Sequence, residues 1–250
     1  MEIGFELSTK RGVIRGNASL PAGGPSACLI LCHGLTGNCH APWLIRIARE
    51  LEAHGIACIR FDCLGSGESD GESSQATTLS EVEDALAVFE YARTLAQIDP
   101  TRIALGGHSL GVLVALLAAQ KCEAKALVLL GSALSCYHEL IQPLTGERLR
   151  SFRETGILDL GGFEVSRAMV EELSDIDGYQ VACALGLPTL LIHGELDDES
   201  PVYHSIRLKE KLGDLAELNI IPGVHHCFET AAAQASIALL AAEFMSKFKS

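Results

Sequence analysis

Three short segments carry residues able to do nucleophilic chemistry together. Gly107-His108-Ser109-Leu110-Gly111 sets a serine between glycines two positions before and two after it. A serine on a tight strand-to-helix turn has strained backbone angles, and residues at those two positions must be small to avoid collision. Such a turn lifts the hydroxyl above the sheet and aims the N-terminus of the next helix at developing negative charge. The hydroxyl is a poor nucleophile until a base takes its proton. Histidines stand in Pro222-Gly223-Val224-His225-His226-Cys227-Phe228, and carboxylates to orient one stand in His193-Gly194-Glu195-Leu196-Asp197-Asp198. The chain order serine, acid, histidine is one in which this constellation recurs. Spacing alone leaves Asp197 and Asp198 as alternatives, and His225 and His226 likewise.

A fourth segment, Cys32-His33-Gly34-Leu35-Thr36-Gly37, follows an apolar run. A tetrahedral intermediate needs donors for its oxyanion, and backbone amides held by the fold serve well. The N–H groups of Leu35 and Leu110 are the candidates. His33 and Gly34 then border the substrate, with His33 read as a histidine that holds the loop rather than as a second base. The glycines of Phe61 to Gly71 fail the dinucleotide fingerprint, because Asp70 stands where a third glycine is needed. No phosphate-binding G-x-x-x-x-G-K-[ST] and no H-E-x-x-H occurs, and Cys32-His33 and Cys39-His40 lack paired-ligand spacing. The expectation is no cofactor and no metal.

These segments need elements to position them. Strand-like runs fall at 2–7, 12–19, 27–32, 56–61, 102–106, 125–130, 188–192 and 216–221. From residue 27 onward they are nearly continuous apolar runs, as in a parallel sheet covered on both faces. The first two read as an antiparallel edge hairpin turning near Lys10-Arg11-Gly12. Helical spacing appears over 80–96, with Ser80 and Glu83 as a capping box, and over 109–120. Ser200-Pro201 reads as the cap and first residue of another helix, and a last one covers about 229–248. Alternating units of this kind predict an α/β fold, a mostly parallel eight-stranded sheet with helices on both faces. The candidate serine, acid and histidine all then follow carboxyl ends of strands, the edge where such sheets hold their sites. The whole chain, 1–250, reads as one domain. The long interval between the strands near Leu130 and Pro188 exceeds a simple crossover and predicts a cap insertion over about 132–185. Its Tyr137, Phe152, Phe163 and Tyr179 are expected to line a pocket.

A net charge of -13 repels phosphate backbones and anionic lipid, so nucleic acid and membranes are poor partners. The nine cysteines are odd in number and several lie in apolar runs, which reads as reduced, mostly buried thiols. The first residues carry neither a basic nor an apolar leader pattern, and no apolar run approaches the ~20 residues of a bilayer span. The expectation is a cytoplasmic chain, with a homodimer compatible with all of this.

The motifs taken together resemble the α/β-hydrolase superfamily. Within it the chain is most similar to bacterial cinnamoyl (feruloyl) esterases. The likeness runs through His33-Gly34-Leu35-Thr36, Arg60-Phe61-Asp62 with Gly65, Gly67, Ser69, Asp70 and Gly71, the Gly107–Gly111 turn, Leu160-Gly161-Gly162-Phe163, His193-Gly194 with Asp197, and His226-Cys227-Phe228. The resemblance implies Asp197 as the acid, three residues after the glycine of H-G, and His226 as the base before C-F. It implies that Asp62 braces a loop, that Phe163 borders the substrate, and that Ser109 attacks a small or medium carboxylic ester, aromatic-acyl ones included. Val112 and Glu164 depart from the pattern of the aromatic-ester members. A thioesterase or monoacylglycerol-type lipase would use the same residues. A peptidase is expected less. A ligand-binding protein that keeps the fold is the alternative from another class.

Overall fold

A computed structural model describes residues 1–135 and 144–249. Cys136 and Tyr137 lie outside the described residues. Eight strands form one sheet: β1 (Glu2–Ser8), β2 (Val13–Ser19), β3 (Ser26–Cys32), β4 (Ala57–Phe61), β5 (Ile98–His108), β6 (Leu127–Leu130), β9 (Thr189–Gly194) and β10 (Ala216–Ile221). Their order is β1-β2-β4-β3-β5-β6-β9-β10. β1 pairs antiparallel with β2, and β2 with β4; every later pairing is parallel. The expected α/β fold is therefore present, with its edge hairpin. β5 starts earlier than the sequence suggests, at Ile98, which pairs with Ser26 before the register shifts.

The period-two geometry of a strand sorts the apolar runs onto two faces. Cys28, Ile30 and Cys32 join one core with Val82, Ala85 and Phe89 of α2 (Thr78–Thr94) and most of α3 (Leu110–Ala119). Leu29 and Leu31 face the opposite core, with Leu44, Ile47 and Leu51 of α1 (Pro42–Ala53) and Ile237, Ala241 and Met245 of α8 (Ala231–Ser246). α1 has Pro42 in its first turn and apolar residues at helical spacing, yet the sequence reading did not name it. Between β6 and β9 lie α4 (Gly146–Thr155), a small antiparallel hairpin of β7 (Ile157–Asp159) and β8 (Glu164–Ser166), α5 (Arg167–Asp175) and α6 (Gly178–Leu185). No helix among the described residues is long and apolar enough to cross a membrane.

Two helix starts differ from expectation. α2 is capped by Thr77, not Ser80. Thr77 is extended, its hydroxyl accepts from the Ser80 amide, and Ser80 reciprocates as the third helical residue. The helix expected to begin at Ser200-Pro201 begins at Tyr203 instead: α7 spans Tyr203–Leu212 after Val202. Ser200 is held elsewhere, its amide by Asp197 and its hydroxyl by the Ser132 carbonyl.

α2 also braces the loop after β4. Asp84 accepts from the Leu64 amide (2.9 Å) and pairs with Arg11 (2.5 Å). The neighbouring Cys63 amide donates to His33 (3.1 Å), so the brace reaches the segment after β3. Glu81, one turn before Asp84, is buried at 3% exposure. Burial first, then the Asp84 charge, push its carboxyl up to about 8, with Arg11 opposing. The folded chain therefore holds this proton more tightly than the unfolded chain, whose glutamates titrate near ~4.3. Stability from this group is greatest below that value and declines as pH rises toward about 8. Glu81→Gln, which cannot ionise, should gain thermal stability relative to the natural chain as pH rises from about 5 to 8. A melting-temperature difference that stays constant over that range would refute the buried-proton account.

Candidate active site

Ser109 sits between β5 and α3 with φ 54° and ψ -121°, a strained conformation for a residue with a side chain. Its amide donates to the Leu130 carbonyl (3.0 Å), which ties the turn to the neighbouring strand. The flanking glycines are required by contact. A Cβ on Gly107 would lie 2.0 Å from the Gly111 carbonyl oxygen, and one on Gly111 would lie 2.4 Å from that of His33. The turn and the His33 loop are thus packed backbone to backbone.

Asp197 follows β9 and His226 follows β10, and both are buried. His226 Nδ1 donates to Asp197 Oδ2 at 2.7 Å. The rivals fall outside this arrangement: Asp198 and His225 are exposed and stand 3.9 Å apart. Asp197 Oδ1 accepts from the amides of Glu199 (3.1 Å) and Ser200 (2.8 Å). Burial alone would raise the carboxyl, but hydrogen bonds from His193 and His226 outweigh it and hold it well below the usual carboxylate range. His193, quoted in the sequence only as part of a motif, lies 3.1 Å from Asp197 Oδ2.

Gly131, at the end of β6, completes the floor. A Cβ there would come within 3.3 Å of the His226 ring and 3.4 Å of Asp197 Oδ2, and its φ is +53°. His108 Nε2 donates to the His226 carbonyl (3.0 Å), and the two rings lie 4.6 Å apart. Burial, then the neighbouring His226, push the His108 imidazole down to about 3, so it is neutral and positions the loop.

A cavity of about 560 Å³ opens over these groups, lined by His33, Gly34, Leu35, Ser109, Leu160, Asp198, Glu199 and His226 among others. Ser109 and His226 share its wall without a hydrogen bond between them; in substrate-free structures such bonds are often long and tighten on binding. The Leu35 amide has no acceptor among the described residues, and the Leu110 amide begins α3, where no intrahelical acceptor exists. Gly34 closes on the serine: a Cβ there would be 3.0 Å from Ser109 Cβ. His33 is occupied on both ring nitrogens, donating from Nδ1 to the Gly34 carbonyl (2.8 Å) and accepting at Nε2 from Cys63. That is the loop-holding histidine the sequence suggests. Asp62 accepts from the amides of Cys39 (2.6 Å) and Glu68 (2.8 Å), which braces the same region. Cys227 also lines the cavity, but burial pushes its thiol up to about 11, so it is not a competing thiolate.

Of the described aromatics of this interval, none lines this cavity, and Tyr179 borders a separate hollow with Leu134 and Arg207. Phe152 and Tyr179 are buried in the core, with Arg167 over the Phe152 ring and the Tyr179 hydroxyl 2.6 Å from His204. Phe163 packs against the same core, and its carbonyl accepts from the Leu160 amide. Leu160 is the residue of this segment that reaches the cavity. A tight turn through Gly161 and Gly162 separates the two.

An uncharacterized protein of Mycobacterium tuberculosis is 27% identical over 222 residues, which are 88% of this chain and 70% of the relative. Est1E from Butyrivibrio proteoclasticus, in a structure with ferulic acid bound, superposes with a TM-score of 0.86 at 23% identity, covering 98% of both chains. An esterase domain of a Rhodothermus marinus protein superposes at 0.77 with 21% identity, covering 99% of both. These structural likenesses establish the fold. Residues 23–156, just over half of the sequence, match the family described as serine aminopeptidase, S33, and the chain therefore belongs to that family of α/β-hydrolases.

Proposed function

We propose that this chain is a serine carboxylesterase that hydrolyses small to medium esters, aromatic acyl groups included, through an acyl-enzyme. One observation carries the reading: the buried Asp197–His226 hydrogen bond in the wall of the cavity that holds Ser109 at the positive end of α3. With Nδ1–H committed to Asp197, the neutral imidazole offers its Nε2 lone pair. Ser109 Oγ attacks the ester carbonyl carbon as its proton passes to Nε2, and the carbonyl electron pair moves onto oxygen. The amides of Leu35 and Leu110 receive that oxyanion. The intermediate collapses, and the leaving alcohol takes the proton from Nε2. Water, deprotonated by the same nitrogen, then attacks the acyl-serine; the acyl C–Oγ bond breaks, Ser109 Oγ takes the proton back from Nε2, and the acid is released. Asp197 stays ionised and stabilises the imidazolium between these steps.

The cavity supports the substrate class. Its volume suits a compact ligand. Asp198 and Glu199 are its acidic wall, and no lysine or arginine is among the described lining residues. A negative wall repels anionic groups, which argues against acyl-coenzyme A thioesters. The structural neighbour with ferulic acid bound supports an aromatic acyl group. The family's name raises an amide substrate, and a hydrolase-fold ligand-binding protein would turn over nothing; both are open to the same test.

Ser109→Ala should cost on the order of a million-fold in turnover and abolish fluorophosphonate labelling, with the fold intact. A variant retaining a tenth of the activity would exclude this nucleophile. His226→Ala should match that loss while His225→Ala stays close to the natural chain; the reverse result would reassign the base. Turnover should fall toward acid pH as the histidine base takes up a proton, with Asp197 still ionised throughout. A flat rate between about pH 5 and 8 would count against a histidine base. Among p-nitrophenyl butyrate, methyl ferulate, a long-chain p-nitrophenyl ester, an acyl-coenzyme A and an aminoacyl p-nitroanilide, the first two should show the highest kcat/KM. Fastest turnover of the long ester would make it a lipase, of the thioester a thioesterase, of the anilide a peptidase. Absence of any turnover would favour the binding protein.

A further inference from the structure

Two histidine nitrogens stand beside Asp197 Oδ2. His226 Nδ1 stands at 2.7 Å and His193 Nε2 at 3.1 Å. His193 is wholly buried near the end of β9. Its Nε2 faces only acceptors, Asp197 and the Ser200 carbonyl (2.7 Å), so that nitrogen carries the proton. Its Nδ1 then accepts from the Ser205 hydroxyl (2.8 Å), on the first turn of α7. The partners therefore fix one tautomer and one ring orientation.

We propose that His193 is a positioning residue that sets the proton affinity of the base. With its Nε2–H bonded to the Ser200 carbonyl and standing 3.1 Å from the same carboxylate oxygen, it offsets part of the negative charge that would otherwise bind the His226 imidazolium. A histidine base so tuned gives up its proton to the leaving group more readily. The inference rests on the proposed role of His226 in ester hydrolysis.

The groups facing His226 are Asp197 from the β9 loop and His108 from the serine turn. Asp198, Glu199, His33 and Cys227 share its cavity, and His225 precedes it with Asp198 as neighbour. Of these groups, His108 also feels the charge of His193.

Two substitutions separate tuning from packing. Asparagine can replace the Nδ1 side of the ring and keep Ser205, but does not reach Asp197. Glutamine places an amide N–H where Nε2 stands and restores the donor. His193→Asn should raise the acid midpoint of the kcat/KM pH profile by about half a unit to one unit. His193→Gln should restore the natural midpoint. The same midpoint is read without substrate by NMR titration of the His226 ring in histidine-labelled protein, assigned by its loss in His226→Ala. His193→Leu, which lacks both polar ring atoms, should shift in the same direction as asparagine and carries the test if the asparagine chain does not fold. Equal loss of rate in the asparagine and glutamine variants with unmoved midpoints would overturn the proposal, as would equal shifts in both. If the natural chain turns over no ester but the NMR midpoints move as stated, the esterase reading fails and the tuning stands.

Discussion

The burial of one ionised carboxylate organises this site. A carboxylate taken out of water without partners costs several kcal/mol, so Asp197 exists in its observed place only because four N–H groups stand around it. Two are amides of the loop that carries it, from Glu199 and Ser200, and two are imidazoles. The geometry of the donors dictates the neighbours. Ser200 is bent into the Asp197 turn rather than starting a helix, so α7 begins later. Gly131 turns with a φ of +53°, a conformation that favours glycine, and a Cβ there would press against the His226 ring at 3.3 Å.

A second constraint comes from the backbone under Ser109. The turn and the His33 loop touch through main-chain atoms, leaving no side chain to adjust between them. Around this floor the chain adds rigid supports rather than reactive groups. His108 holds the His226 carbonyl, His33 joins Gly34 to Cys63, and Asp84 joins Leu64 to α2. Three of the histidines at or beside the pocket are tied as supports, His33 and His193 through both ring nitrogens and His108 through Nε2. That leaves His226, tied through Nδ1 alone.

Much of this was legible in the sequence, for identifiable reasons. The parallel strands are continuous apolar runs, and the glycines at 107 and 111 mark a backbone contact that only glycine permits, so the sheet and the serine turn could be read directly. The pairing of Asp197 with His226 could not be read from spacing, since Asp198 and His225 are chemically equivalent neighbours; burial separates them, and burial is a tertiary property. The role of His193 was hidden because its partners Ser200 and Ser205 are brought to it by the turn that Asp197 itself creates. The cap misled because aromatic side chains signal burial without saying against what. Phe152 and Tyr179 bury themselves in the protein core, Phe163 packs half-buried against it, and a leucine takes the place by the cavity.

The backbone-to-backbone contact beneath Ser109 also bears on how such a chain can diverge. With a Cβ at Gly107 or Gly111 falling 2.0–2.4 Å from a carbonyl oxygen, no substitution at either position is absorbed by a rotamer change. Drift at the floor is closed off. The walls are different: Leu160 stands on a glycine turn, and Asp198 and Glu199 project from an exposed loop. A chain with this floor is therefore free to acquire new selectivity by exchanging a handful of rim side chains, while the serine turn is held unchanged.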